Sequence, residues 1–221
     1  MRKPRVDYRQ LRFSTLNTPQ FSHLKLLFGW LGYFALYFLT ENLIPLEKCH
    51  VIHCRLDDII PFCEWFLIPY VFWYALIVFS LGYFALYDVE SFKKLQIYII
   101  ITQIVAMVIY IIYPSCQNLR PKEFANENFF TYCISFIYTF DTNTGVCPSL
   151  HCAYSIGIAS VWLRAKGASW LWKIFVVISV ILICCSTVFI KQHSAVDFFV
   201  ALPVCLLAEI LVFKVFFRKK A

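Results

Sequence analysis

The sequence predicts an all-α fold: a bundle of six transmembrane helices with an interfacial helix between spans three and four. Three observations carry that expectation. The chain is 61% hydrophobic and 19% aromatic, with a mean hydropathy of +0.69, whereas ordinary soluble domains are about half apolar. Its apolar residues gather into runs of membrane-crossing length, for which about 20 largely uncharged residues suffice. Its basic residues fall unevenly between the connecting segments.

The six runs are about Leu24–Leu43, Phe66–Tyr87, Gln96–Tyr113, Ser149–Leu163, Trp170–Ile190 and Ala195–Phe217. The fourth is short, with a polar N-terminal end suited to the membrane interface. The basic tail, residues 1–23, resembles the start of a signal peptide, but the run behind it is too long and lacks a small-x-small cleavage site, so it is expected to be retained. With a cytoplasmic N-terminus, the outer segments hold Lys48, Arg55, Arg120, Lys122 and Lys191, and the other 15 of the 20 Lys and Arg lie inside. That asymmetry follows the positive-inside rule, with both termini cytoplasmic. The net charge of +7 then reads as topology and headgroup attraction, and no nucleic-acid partner is called for.

The first hairpin, from Leu24 to Tyr87, reads as scaffold, and Asp88–Leu95 reads as a short inner loop. Glu64 falls at the outer edge of span two. Glu209, inside the last run, calls for a structural partner. Most of the ten cysteines lie toward the outer side, where a disulfide is possible but cannot be assigned from spacing. Cys49-His50-Val51-Ile52-His53-Cys54 has metal-ligand residue types without zinc-site spacing, so solvated loop residues are the better reading. The longest loop is Ser115–Pro148. Within it Phe129, Phe130, Cys133, Phe136, Ile137 and Phe140 recur at helical spacing, either as an interfacial helix or as a loop helix packed on the bundle. Asp141-Thr-Asn-Thr-Gly145 is the turn that stops it.

The chemistry-bearing residues lie in residues 115–197 of what reads as one domain. His193 and Asp197 stand four apart, so on a helix the carboxylate can hold one imidazole nitrogen and leave the other free to attack an electrophile. Pro148, Ser149 and His151 open span four. With Pro148 at the first helical position, Ser149 and His151 enter the first turn, where free N–H groups favour an anion. His151 and His193 are 42 residues apart, the length of a helical hairpin that returns to the surface it left. Arg120, Ser149, His151, Lys191, His193 and Asp197 are therefore expected at one face. Two histidines, cations and a helix N-terminus suit phosphoryl transfer. No dense carboxylate cluster points to Mg²⁺, and no cofactor is expected.

Arg120-Pro121, Pro148-Ser149-Leu150-His151 and His193-x3-Asp197 resemble, in order and spacing, the three motifs of the type-2 phosphatidic acid phosphatase superfamily. The resemblance covers about the second half of the chain. It implies a metal-independent membrane phosphatase acting on a lipid phosphomonoester or pyrophosphate through a phosphohistidine. His193 would be the nucleophile and Asp197 its orienter. His151 would be the acid and base, with Arg120 and Ser149 holding phosphoryl oxygens. Three positions depart from the family pattern: Tyr113 stands where a Lys is usual, Leu150 where a Gly is usual, and Thr187 where an Arg is usual. Lys191, four residues after Thr187, is expected to offer its ammonium from the same helix face in place of that guanidinium. Pro-Ser-Leu-His also resembles the inositol phosphorylceramide synthase branch, whose members transfer the phosphoryl group to a lipid alcohol. Hydrolysis is the expectation, since a loop-poor chain leaves little room for a second headgroup. A transporter or scaffold with an altered site is the reading from another class. The sequence leaves open which lipid is used, and the oligomeric state.

Overall fold

The computed structural model describes residues 4–218. Eight α-helices form among these residues, in chain order: α1 (Phe28–Leu43), α2 (Arg55–Ile59), α3 (Leu67–Tyr87), α4 (Val89–Ile112), α5 (Phe129–Phe140), α6 (Leu150–Arg164), α7 (Trp170–Phe189) and α8 (Ala195–Ile210). A π-helical stretch continues α8 through Leu211–Phe216. Strands β1 (His50–Val51) and β2 (Ser115–Cys116) pair in parallel and pin the α1–α2 loop to the start of the long loop.

Among the described residues four helices are long and apolar enough to cross a membrane: Glu64–Tyr87, Val89–Ile112, Trp170–Phe189 and Ala195–Phe216. The other two expected spans are shorter. The run from Leu24 begins as a 3-10 stretch, Ser22–Leu27, and only 16 residues follow as α1. α6 has 15 residues, about 22 Å of rise. It can be short because it packs at the centre, against α3, α4, α7 and α8.

The expected loop Asp88–Leu95 is instead the start of α4. Asp88 caps it, its Oδ1 accepting from the Ser91 amide at 3.2 Å, and so the turn between α3 and α4 shrinks to one residue. The α5 stripe also splits. Phe130, Cys133, Ile134 and Ile137 pack with Leu67, Tyr70 and Ile190, while Phe129, Tyr132, Phe136 and Phe140 stay exposed. α5 thus has an apolar residue on nearly every side, one half seated on the bundle and the other facing outward.

Close approach of α4 and α6 centres on Gly157, where a Cβ would meet the Tyr98 ring at 2.5 Å. Tyr98 continues past it to donate its hydroxyl to the Cys205 carbonyl of α8 at 3.2 Å. Small residues let helix backbones approach this closely in membranes. At the far end of α6, Glu209 finds the partner its position called for, pairing with Arg164 and accepting from Ser160 Oγ at 2.6 Å. The ten cysteines are all free thiols.

Candidate active site

The segment between α7 and α8 sets the site. α7 ends at Phe189, and Lys191 takes a left-handed φ of 56°, so the chain reverses within five residues. The amides of Gln192 and His193 both return to the Thr187 carbonyl, at 3.0 and 2.9 Å. Ser194 then caps α8 in a capping box with Asp197, a sequence-local device that satisfies two end groups reciprocally. The box leaves Asp197 Oδ2 accepting from the Ser194 amide and from His193 Nδ1, each at 3.0 Å. Asp197 is fully buried and His193 is 8% exposed. Burial acts to lower the His193 pKa, and the Asp197 hydrogen bond and charge outweigh it, so the imidazole is held above its ordinary value. Its Nδ1–H is directed at the carboxylate, which leaves Nε2 as the lone-pair nitrogen.

His151 comes to this pair from α6. The helix starts two residues later than the Pro148 rule implies: Leu150 is the first helical residue and Ser149 the N-cap, its Oγ accepting from the Cys152 amide at 3.4 Å, and Pro148, just before the cap, follows Cys147 through a cis peptide. Two contacts lock this start. The Tyr110 hydroxyl donates to the Pro148 carbonyl at 2.6 Å, and the Ser149 amide donates to the Asp197 carbonyl at 3.1 Å. The His151 and His193 rings are 5.6 Å apart, inclined at 65°. Tyr70 and Trp73 of α3 cover the His151 ring, at 4.8 and 4.1 Å. His151 Nε2 is buried without a hydrogen-bond partner, the state expected of a nitrogen kept for a ligand or a transferred proton.

The structure brings His151, His193, Asp197 and Ser149 together. It does not bring Arg120 and Lys191 to them. Arg120 spends Nη1 on the Tyr138 carbonyl (3.0 Å) and Nη2 on the Asp141 (2.5 Å) and Thr142 (2.8 Å) carbonyls, with its guanidinium 4.5 Å over the Tyr138 ring. It closes the C-terminal end of α5, where cations are favoured. Lys191 is beyond the end of α7, so it shares no helix face with Thr187. Its ammonium donates to the Asp57 and Ile60 carbonyls at 2.8 and 2.6 Å. Burial pulls both cations below their usual pKa.

Several partners escape sequence reasoning. Asp57, in α2, takes Ser194 Oγ on Oδ2 at 2.6 Å and the Ala195 amide on Oδ1 at 2.8 Å. Burial works against its charge, but those donors and the Cys54 amide hold its pKa below the ordinary carboxylate value. Gln117 donates to the Lys191 carbonyl at 3.0 Å, and the Tyr138 hydroxyl donates to that of Ile190 at 2.5 Å. Asp141, read only as a turn residue, accepts from the Tyr70 hydroxyl and from Gln192 Nε2, both at 2.8 Å. The one local signal was the Cys54–Asp57 spacing of a capping box. The rest depends on residues 50 to 140 positions away.

A cavity of about 560 Å³ opens beside the two histidines, within the range of small-molecule sites. His151, His193, Asp141 and Gln192 line its polar end. Trp30, Tyr33 and Tyr37 of α1 and Trp73 and Tyr74 of α3 form aromatic walls. No family model, curated protein or solved structure matches this chain.

Proposed function

We propose that the chain is an integral membrane phosphatase that removes the phosphate of a lipid phosphomonoester or pyrophosphate through a phosphohistidine on His193. The observation that carries this reading is the pair of imidazoles 5.6 Å apart, one on a buried carboxylate and the other with a free nitrogen, at the end of an aromatic cavity.

In the first step, His193 Nε2 attacks phosphorus and the P–O bond to the lipid breaks. His151 delivers a proton to the departing alkoxide. His193 gains positive charge as the bond forms, and Asp197 stabilises it through the Nδ1–H hydrogen bond. In the second step, His151 takes a proton from water, the water oxygen attacks phosphorus and the P–N bond breaks, freeing phosphate. Developing charge on the phosphoryl oxygens meets the start of α6. The Leu150 and His151 amides have no intrahelical acceptor there, and Ser149 keeps its hydroxyl proton to donate. Arg120 and Lys191 act at one remove, Arg120 by fixing the Asp141 turn and Lys191 by tying the catalytic loop to α2. On this reading the chemistry lies at the extracytoplasmic face, with both termini cytoplasmic and the exposed aromatics of α5 in the interface, a topology supported by the uneven spread of Lys and Arg.

The cavity volume favours a second reading, transfer of the phosphoryl group to a lipid alcohol that enters as water would. Detergent-purified protein given a labelled lipid phosphate, with and without a lipid alcohol, separates them. Free phosphate in both arms supports hydrolysis, and a labelled second lipid supports transfer. Loss of both in a folded His193→Ala variant supports the shared chemistry. Turnover that survives that change contradicts it.

A further inference from the structure

The end of the bundle remote from the histidines holds a second cavity, of about 570 Å³. It opens where α3 passes into α4, where α6 ends and where the π-helical stretch follows α8. The rings of Tyr83, Trp162, Phe213 and Phe217 line it together with four cations, Arg5, Lys94, Arg164 and Lys166. Its two carboxylates are already engaged. Asp88 takes the Ser91 amide and hydroxyl at 3.2 and 2.8 Å, and Glu90 pairs with Lys94 at 2.5 Å. Arg164 is matched from outside the cavity by Glu209, and its guanidinium lies 4.2 Å over the Phe213 ring. Arg5 and Lys166 differ. Both are exposed, and Arg5 is held through its amide, on the Leu86 carbonyl at 2.8 Å. Neither side chain has a hydrogen bond or ion pair among the described residues. Lys and Arg bring donors and no acceptor, so what would match them is an anion, and phosphate oxygens suit a guanidinium best. Next to the lining in sequence, Leu86, Leu163 and Phe216 are exposed, apolar surface against which lipid chains can lie.

We infer that this cavity is a second binding site, separate from the histidines, that takes the phosphate-bearing headgroup of an anionic phosphodiester lipid. Arg5 and Lys166 hold the phosphate oxygens, the rings pack against the rest of the headgroup, and the acyl chains run outside along the helices. On the topology proposed above this is the cytoplasmic end, the leaflet where anionic lipids attract basic residues. A phosphodiester has no terminal phosphate to release, so the lipid is a ligand here and not a substrate. The site therefore stands or falls apart from the phosphatase reading.

The test titrates detergent-purified protein with dioleoyl phosphatidylglycerol, with dioleoyl phosphatidylcholine and with soluble glycerophosphoglycerol, and reads the bound fraction by native mass spectrometry. The expected result is that phosphatidylglycerol binds about tenfold or more tighter than the other two, and that Arg5→Ala with Lys166→Ala removes about tenfold or more of that affinity. A control pair, Lys25→Ala with Lys214→Ala, deletes the same charge from exposed positions outside the cavity and should change binding by less than about twofold. Equal losses in the two double variants mean diffuse surface attraction and overturn the inference, as does equal binding of phosphatidylglycerol and phosphatidylcholine. Glycerophosphoglycerol binding as tightly as the lipid supports the anion site and overturns the lipid as its source. Should the cavity variant fail to fold, amine acetylation of the wild type decides. Phosphatidylglycerol should shield Lys166 and leave Lys25 and Lys214 reactive, and an unshielded Lys166 overturns the inference.

Discussion

His193 needs an unprotonated Nε2 to attack, yet Asp197 raises its pKa, so nucleophilicity and proton affinity are set by one contact. On the proposed mechanism, kcat/KM falls as pH drops through a value above the ordinary histidine pKa of about 6.5. Asp197→Asn removes the charge that lifts the pKa, leaving burial to depress it. The acidic fall should therefore move to lower pH while the maximal rate drops about a thousandfold. An unmoved profile contradicts the assignment. The sign for stability is the opposite: a raised folded-state pKa stabilises the fold fully below pH ~6.5, and that contribution is lost as pH rises through the folded value. Asp57 offers a purely structural counterpart. Asp57→Ala strands the Ser194 hydroxyl and the Ala195 amide, each a buried donor, and should cost about 2 kcal/mol or more. Thermal unfolding in detergent reads that loss, and an unchanged Tm contradicts it. The His193–Asp197 pair was legible because its four-residue spacing is local. Asp57, Asp141 and Gln192 were not recognised, because what gives each its role lies across the fold.

At the scale of elements, periodicity and caps carry different information. Hydropathy located every long helix, yet it placed the start of α4 seven residues late, because Lys93 and Lys94 look like loop. The Asp88 cap marks the true start. The α5 stripe was visible as apolar spacing, but its division between bundle and exterior depends on Leu67, Tyr70 and Ile190, which no local pattern names. The α4–α6 contact is tighter than either sequence suggests. Gly157→Ala puts a methyl at 2.5 Å from the Tyr98 ring and should cost about 1–3 kcal/mol by overpacking. Because Tyr98 also reaches Cys205, α8 should loosen with it. Increased labelling of the Cys205 thiol by a small membrane-permeant reagent checks this, and unchanged labelling with unchanged Tm contradicts it.

At the scale of the whole molecule, the fold turns a one-dimensional separation into a contact. His151 and His193 are 42 residues apart, and α6 and α7 run out and back so that their rings meet at 5.6 Å. Helix length was enough to anticipate that convergence. It was not enough to place Arg120 and Lys191, since which carbonyls a long cation reaches depends on where α2 and α5 dock. The cavity is likewise a property of the assembly, lined by α1, α3, α4 and α6, by the loop from Asp141 to Val146 and by Gln192 and His193 between α7 and α8.

The central claim, that the two imidazoles share one phosphorus atom, is tested most directly by trapping the intermediate. Protein incubated with a ³²P-labelled lipid phosphate and quenched in alkali should carry an acid-labile label on His193. The label should accumulate in His151→Ala when the lipid has a leaving group that needs no proton, and it should be absent from His193→Ala. A label on another residue, or phosphate release with His193 removed, would contradict the account.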